Sequence, residues 1–363
     1  SVDYEKWLAG HKPFHWFTEF YGVMTSGGFN VIIGNPPYVR YGKVRSQYKI
    51  RNYLTESTGN LYAFVMERAM AIAIPKAWLG MIVPIASVST GRMSKLQSLY
   101  KSSLPKQWHS HYATRPGKLF PGVDMNLTIT IGQLKGTGVI PNTFTTTYYR
   151  WKDSPDSDRE SLFYRLRFLA LEVPSRHANN FPKMGTNVES SILSKMHSHQ
   201  KKLKDFYDDS AEPIFYHSGG RYWRKALREG LSSHYKKIMV RESFSTIALC
   251  LLNSQLYYLY WITNSNCMDV VSREVSELPV WDFHSTSNLG QFRELENDLL
   301  ESYYSNAERR DRKGQLISAS EINFDVVQAK PTIDKIDRVI AKHYGFTEEE
   351  LDFVINYDIK YRT

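Results

Sequence analysis

One short stretch constrains this chain more than any other. Phe29-Asn30-Val31-Ile32-Ile33 is an apolar run that stops at Gly34 and passes straight into Asn35-Pro36-Pro37-Tyr38. An apolar run of this length closed by a turn signal predicts a buried strand. Proline fixes φ, lacks an N–H and pushes the preceding residue toward extended geometry. Two in succession therefore make a stiff loop whose carbonyl oxygens face few competing donors. In an open α/β sheet, ligands bind beyond the carboxyl ends of strands, which is where this loop falls. The surrounding pattern fits such a sheet. A helix is predicted over Leu61–Pro75, strands over Gly80–Pro84, Asn126–Gly132 and Phe144–Trp151, and a helix over Met93–Leu104. Strand and helix alternate through the first 135 or so residues, the pattern of a mostly parallel α/β sheet. Gly27-Gly28 reads as the turn before the first strand.

Beyond this the pattern loosens. Lys152–Glu160 is polar and turn-rich and predicts a linker. Helices are expected over Val188–Lys204 and Thr246–Asn264, with strand and turn over Pro213–Trp223 around Gly219 and Gly220. The tail, Leu289–Asn306 and Thr332–Arg362, reads as amphipathic helix. Gly345 would close one of its helices, and Thr347 would cap the next with Glu350 three residues on. The apolar run Thr246–Ile262 is broken by Asn253, Ser254 and Gln255 and falls short of the ~20 residues a spanning helix needs. No membrane segment or signal peptide is expected. Two cysteines among 363 residues, Cys250 and Cys267, exclude a disulfide scaffold and suit a reducing, cytoplasmic compartment, with both thiols free.

The loop has chemistry of its own. An exocyclic amino group on a purine is a poor nucleophile, because its lone pair is delocalised into the ring. Two fixed acceptors, the Asn35 side-chain oxygen and the Pro36 carbonyl, suit its two N–H bonds and the positive charge that grows as it attacks an electrophile. Pro37 stiffens the loop and Tyr38 offers a flat ring for stacking. Charge points the same way. The chain carries 46 Lys and Arg against 37 Asp and Glu, a net of +9. The surplus concentrates in Lys195–Arg241, where Lys201, Lys202, Lys204, Arg221, Arg224, Lys225, Arg228, Lys236 and Lys237 interleave with aromatics from Phe206 to Tyr235. Such a segment is either a solvated face beside a core or a surface for phosphates and bases. His197 and His199 read as an exposed pair on a polar helix. No metal site, P-loop or nuclease carboxylate cluster is apparent.

Taken together, GFNVIIGNPPYVR resembles catalytic motif IV of the amino-group DNA methyltransferases, in the form of the N6-adenine subgroup. Gly59-Asn60-Leu61-Tyr62-Ala63-Phe64 with Glu67-Arg68-Ala69 resembles motif V, and Leu79 to Pro84 resembles motif VI. Leu119-Phe120-Pro121-Gly122-Val123 resembles motif VIII, which implies that Phe120 stacks on the target base opposite Tyr38; Tyr112 lies nearby. Tyr216 to Trp223, Leu251 to Ser254 and the tail His343 to Glu350 are similar to pieces of the recognition domain and C-terminal end of the fused type IIG restriction-modification enzymes.

The resemblance implies an α/β fold: the C-terminal half of a Rossmann-like methyltransferase sheet over 1–151, a mixed α+β target-recognition domain over 160–290, and a helical region over 291–363. It implies S-adenosylmethionine as cofactor in the intact enzyme, double-stranded DNA as partner, and an extruded adenine as target. The family's glycine-rich cofactor loop and ribose-binding acid have no counterpart here. The expectation is a portion of a larger enzyme whose missing half binds the cofactor, with a fused nuclease as a further option. Such a portion would be inactive alone and would leave an apolar sheet edge uncovered. Two other readings stay open: a DNA-binding specificity module without chemistry, and a methyltransferase acting on protein glutamine or RNA.

Overall fold

The computed structural model describes residues 2–11, 14–47, 49–152, 161–171, 180–219, 222–282, 288–311 and 320–362. The predicted linker after Lys152, and Gly220 and Arg221, lie outside the described residues. The chain forms two compact units that alternate along the sequence. The first is built from Ser1–Tyr112, Leu127–Thr145 and Ala170–Phe181, the second from Ala113–Asn126, Thr146–Leu169 and Pro182–Thr363.

In the first unit, helices α1 (Val2–His11), α2 (Trp16–Glu19) and α3 (Tyr21–Thr25) precede β1 (Phe29–Gly34). Gly28 turns the chain into β1 at φ +122°, with its Cα so close to the Ile72 carbonyl that any Cβ would collide with it. Next come α4 (Leu61–Ala71), β2 (Ala73–Pro84), α5 (Ala86–Ser89), α6 (Ser94–Ser103), β3 (Lys106–Tyr112) and β4 (Leu127–Gln133). Then β5 (Asn142–Tyr149) passes along its length into the second unit, and β6 (Leu169–Ala170) follows. The strand order is β1-β2-β4-β3-β5-β6.

The fold class is α/β, with a correction to the sheet. β1 and β2 run parallel, but β4 is antiparallel to both β2 and β3, so the sheet is mixed rather than mostly parallel. The cause is the connection between β3 and β4, which lacks a crossover helix and so lets the chain return antiparallel. Pleating sends Ala77, Leu79, Met81 and Val83 of β2 into the core, where α4 packs on β2 and α6. The other face is open. Val31 and Ile33 are 54% and 81% exposed, and in register with them stand Trp78 and Ile131, also exposed. Trp108 stacks on Phe144 at 5.2 Å on that face. The first strand is thus not buried as its composition predicts: β1 is an edge strand, and the apolar edge expected from the sequence is present.

In the second unit, α7 (Asn187–Ser198) and β7 (Lys201–Lys202) replace the single predicted helix 188–204, and a 3-10 turn runs Leu203–Phe206. Strands β8 (Pro213–His217), β9 (Ala226–Leu227) and β10 (Tyr235–Met239) form a sheet of order β10-β8-β9. The predicted helix 246–264 is two helices, α8 (Glu242–Asn253) and α9 (Gln255–Asn264), because the Ser254 hydroxyl caps the second by accepting from Tyr257 N at 3.0 Å. Asn253 accepts from Ala226 N and donates to Ala226 O, so its amide extends β9 as a backbone would. Then come α10 (Ser272–Ser276), β11 (Pro279–Val280), α11 (Leu289–Ser305), the hairpin β12 (Ala307–Asp311) and β13 (Ser320–Phe324), α12 (Lys330–Tyr344) and α13 (Glu348–Asn356). The predicted caps are in place: Gly345 closes α12 at φ +68°, and Thr347 and Glu350 form a capping box on α13. No helix of the described residues is long and apolar enough to cross a membrane.

Candidate functional site: the loop after the first strand

Gly34 pairs with Met81, and the chain leaves the sheet there into Asn35-Pro36-Pro37-Tyr38. The loop is held at several points in the first unit. The Tyr38 hydroxyl donates to the Ile82 carbonyl at 3.0 Å, fixing the ring against β2. Burial pushes its pKa up to about 12, so the ring stays neutral across the physiological range. Just past Tyr38, Leu61 N donates to Val39 O at 3.0 Å and Tyr41 N to Gly59 O at 2.9 Å. Gly59 takes φ +61°, and a Cβ there would press on the Arg92 guanidinium, which holds the Thr58 carbonyl at 3.0 Å.

These contacts give the segment Gly59 to Ala69 a stated job. It starts α4 with Asn60 as the N-cap residue, and it supports the loop from below. Glu67 accepts from Leu54 N at 2.8 Å, Thr55 N at 2.9 Å and the Thr55 hydroxyl at 2.7 Å, so it ties down the chain between Tyr38 and α4. Tyr41 adds a contact from its hydroxyl, which accepts from Ile50 N at 2.8 Å. Sequence reasoning placed this segment beside the site but missed Glu67 and Tyr41 as its fasteners. Their partners are backbone groups 9 to 13 residues away, which no spacing rule discloses.

The acceptors themselves stay unspent. Pro36 is buried, whereas Asn35 and Pro37 are exposed and Tyr38 is half-buried. Among the described residues neither the Asn35 side chain nor the Pro36 carbonyl has a hydrogen-bond partner. Two unpaired oxygens beside an anchored ring have the chemistry to accept hydrogen bonds from a planar group that presents N–H donors. Tyr112 takes no part: it is buried, and its hydroxyl donates to Ser110.

Phe120 belongs to the second unit, half-buried in the loop 113–126. The ends of that loop are pinned by Asn126, whose Oδ1 accepts from Thr114 N at 3.0 Å.

The basic segment of the second unit divides in two. Arg224 is 2% exposed, with its guanidinium 3.8 Å above Trp261. Arg228 forks onto Glu296 at 2.6 and 3.0 Å and reaches Ser245 at 2.6 Å. Lys202 and Lys204 share Glu277, and Lys225 lies 5.4 Å from the Phe324 ring. Lys201, Lys236 and Lys237 are exposed, the last two on the edge strand β10. Arg221 lies outside the described residues. Of the aromatics, Phe206 and Tyr216 are core. His197 and His199 are half-buried rather than exposed, the second edge-on to Tyr344 at 5.2 Å. Among the described residues there is no group of three or more His, Cys, Asp or Glu placed to hold a metal, and both cysteines are free and buried.

Residues 3–111 match the Eco57I restriction-modification methylase family. The Eco57I match takes in the loop after β1, α4 and β2, and stops short of the segment with Phe120. No curated protein matches the chain. Among solved structures, the type IIL restriction-modification enzyme MmeI in complex with DNA is 12% identical over 92% of this chain and 57% of its own, with a TM-score of 0.47. The type IIG restriction endonuclease BpuSI is 12% identical over 87% and 54%, with a TM-score of 0.31. A Listeria monocytogenes protein described as a class I S-adenosylmethionine-dependent methyltransferase is 16% identical over 31% and 34%, with a TM-score of 0.24. The chain thus spans between about a third and just over half of these proteins.

Proposed function

We propose that this chain is the acceptor-binding and DNA-recognising part of an S-adenosylmethionine-dependent methyltransferase that modifies the N6 amino group of adenine in duplex DNA. The observation that carries the reading is the loop after β1: two unpaired oxygens, Asn35 Oδ1 and Pro36 O, on a backbone fixed by Tyr38 and residues 59–61. When bound, the cofactor supplies an activated methyl group. The described residues include no glycine-rich loop of the kind that would hold it.

The chain's own residues perform the rest. The target base, turned out of the duplex, lies against Tyr38, with Phe120 as a second stacking residue. Asn35 and Pro36 accept its two amino hydrogens. This draws electron density back onto the nitrogen and stabilises the charge that forms there, without a strong base. Pro37 keeps both acceptors in place, and Lys201, Lys236 and Lys237 contact backbone phosphates. By role, 1–151 forms the catalytic part, 160–290 the recognition part and 291–363 its helical support.

The test is product analysis after incubating the enzyme, with its cofactor-binding part supplied, with duplex DNA and labelled cofactor. Label in 6-methyladenine supports the reading. Label in 4-methylcytosine, RNA or protein refutes the assigned substrate. Salt-dependent duplex binding with no transfer under these conditions would favour a specificity module without chemistry. The chain alone is expected to transfer nothing at a useful rate.

A further inference from the structure

We propose that the first unit has a strand-binding site of its own, the basic loop that leaves Tyr38, and that it holds backbone phosphates of the DNA strand whose base is turned out. The proposal rests on the reading of DNA as substrate, and it places a contact in the catalytic part, apart from the lysines of residues 201–237. From Asn35 to Thr55 the chain has five cations, Arg40, Lys43, Arg45, Lys49 and Arg51, and no acid. All of these side chains are exposed. Among the described residues none of them has a hydrogen bond or an ion pair. The contrast with Lys202, Lys204 and Arg228, each held by a glutamate, is complete.

The backbone beneath these charges is fastened, which sets the segment apart from a loose basic tail. Arg40 pairs with Asn60 as an isolated bridge, and a 3-10 turn follows over Tyr41–Lys43. The Tyr41 hydroxyl accepts from Ile50 N at 2.8 Å and so closes the loop on itself. The Tyr41 and Tyr53 rings both lean on Phe64 of α4, at 5.6 and 5.5 Å. Glu67 holds the far end through Leu54 N and Thr55 N. Tyr48 lies outside the described residues. A solvated face interleaves both signs, because like charges in sequence repel. Cations of one sign on a fixed backbone accumulate that repulsion, and a polyanion relieves it.

Spread and position favour a strand over a free anion. The cations are strung along the chain from Arg40 to Arg51 and are not gathered at one point in the sequence. A small anion meets one or two of them, whereas a strand with a charge every ~3.4 Å of its rise meets several in turn. Arg40 stands two residues beyond Tyr38, at most about 7 Å of extended chain. A base lying against Tyr38 therefore brings its own backbone to the start of this loop. Phosphate contacts fix register and orientation, so the loop holds the extruded nucleotide in place while Asn35 and Pro36 receive its amino group.

The experiment measures duplex binding by the full chain over a salt series. The test variant is Lys43→Gln/Arg45→Gln/Lys49→Gln. The control, Lys6→Gln/Lys95→Gln/Lys135→Gln, removes the same charge from exposed positions elsewhere in the first unit. Melting temperatures are compared throughout. The test variant should bind about ten- to hundredfold more weakly at low salt, with the slope of log K against log salt lower by about two to three. The control should stay within about twofold of wild type, its charges being screened at a distance. With the cofactor-binding part supplied, the test variant should raise KM for DNA and keep kcat. Should the triple variant melt lower, Lys43→Gln and Arg45→Gln alone are each expected to lower the slope by about one. Wild-type-like binding by the test variant removes the site, and equal losses in test and control reduce it to net charge and overturn it. Inorganic phosphate that displaces duplex beyond chloride at matched ionic strength makes this a small-anion site and overturns the assignment to a strand. Absence of duplex binding by the wild type overturns the substrate reading itself, which separates the two failures.

Discussion

The loop after β1 and the basic segment 201–237 were both picked out by residue type, and they differ in how their polar groups are used. In the loop, Asn35 and the Pro36 carbonyl have no partner among the described residues, although the chain around them is fastened on three sides. In the basic segment most of the charge is already engaged: Arg228 by Glu296, Lys202 and Lys204 by Glu277, and Arg224 by the face of Trp261. A rigid backbone with unspent groups has acceptors left to offer a ligand. A charge that finds its partner inside the same unit marks a fold. The difference teaches that charge counted along a chain overstates the surface it offers to a ligand.

The comparison breaks first at Asn35. Asn35→Ala in the complete enzyme should lower methyl transfer by about 10²–10³ and leave duplex affinity and melting temperature unchanged. Retained turnover in a labelled-methyl assay would remove Asn35 from the chemistry. Arg224→Ala should do the opposite, costing about 3 kcal/mol in chemical denaturation because it empties a buried place beside Trp261. A neutral result would return Arg224 to the surface.

A third test uses pH. Burial raises the Asp337 carboxyl to about 7, against the two backbone N–H groups of Gln255 and Leu256 that it accepts from at 3.1 Å. Its folded pKa then exceeds the unfolded value of about 3.9. The folded chain therefore keeps a proton that the unfolded chain releases, and this stabilisation is complete below about pH 4 and lost as pH rises through 7. Relative to Asp337→Asn, wild type should lose stability across that window. Parallel pH profiles of the two would contradict it. The smallest effect is expected at Tyr38→Phe, which keeps the ring and loses the bond to Ile82 O, for about 1 kcal/mol and a few-fold in turnover. A larger loss would mean that the hydroxyl acts in the reaction.

Much of this was legible in advance, for definable reasons. Proline stiffness, an apolar run and a following helix act within a few residues, so the loop, α4 and the caps at Gly345 and Thr347 could be read directly. The open face was not visible in Phe29–Ile33, since composition reports that a strand is apolar and not what covers it. The break at Ser254 was signalled by Asn253-Ser254-Gln255, a polar trio whose capping geometry appears only in three dimensions. The burial of Arg150 went unnoticed because the rings and the acid that enclose it, Tyr148, Tyr222 and Asp358, lie up to 208 positions away.

The alternation of the two units along the chain has a consequence for synthesis and for recombination. Between Tyr112 and Pro182 the polypeptide crosses from one unit to the other five times, at 112/113, 126/127, 145/146, 169/170 and 181/182. The first unit is not complete until residue 181 has left the ribosome, and by then two pieces of the second, Ala113–Asn126 and Thr146–Leu169, have already been made. Folding is therefore committed to long-range closure, which is slow compared with local assembly. A crossover with a related gene before residue 112 or after 182 would leave one unit whole and the other mixed, and one between them would mix both. Only cuts before residue 112 or within the contiguous stretch after Pro182 leave one unit intact, because the boundary is crossed no further there.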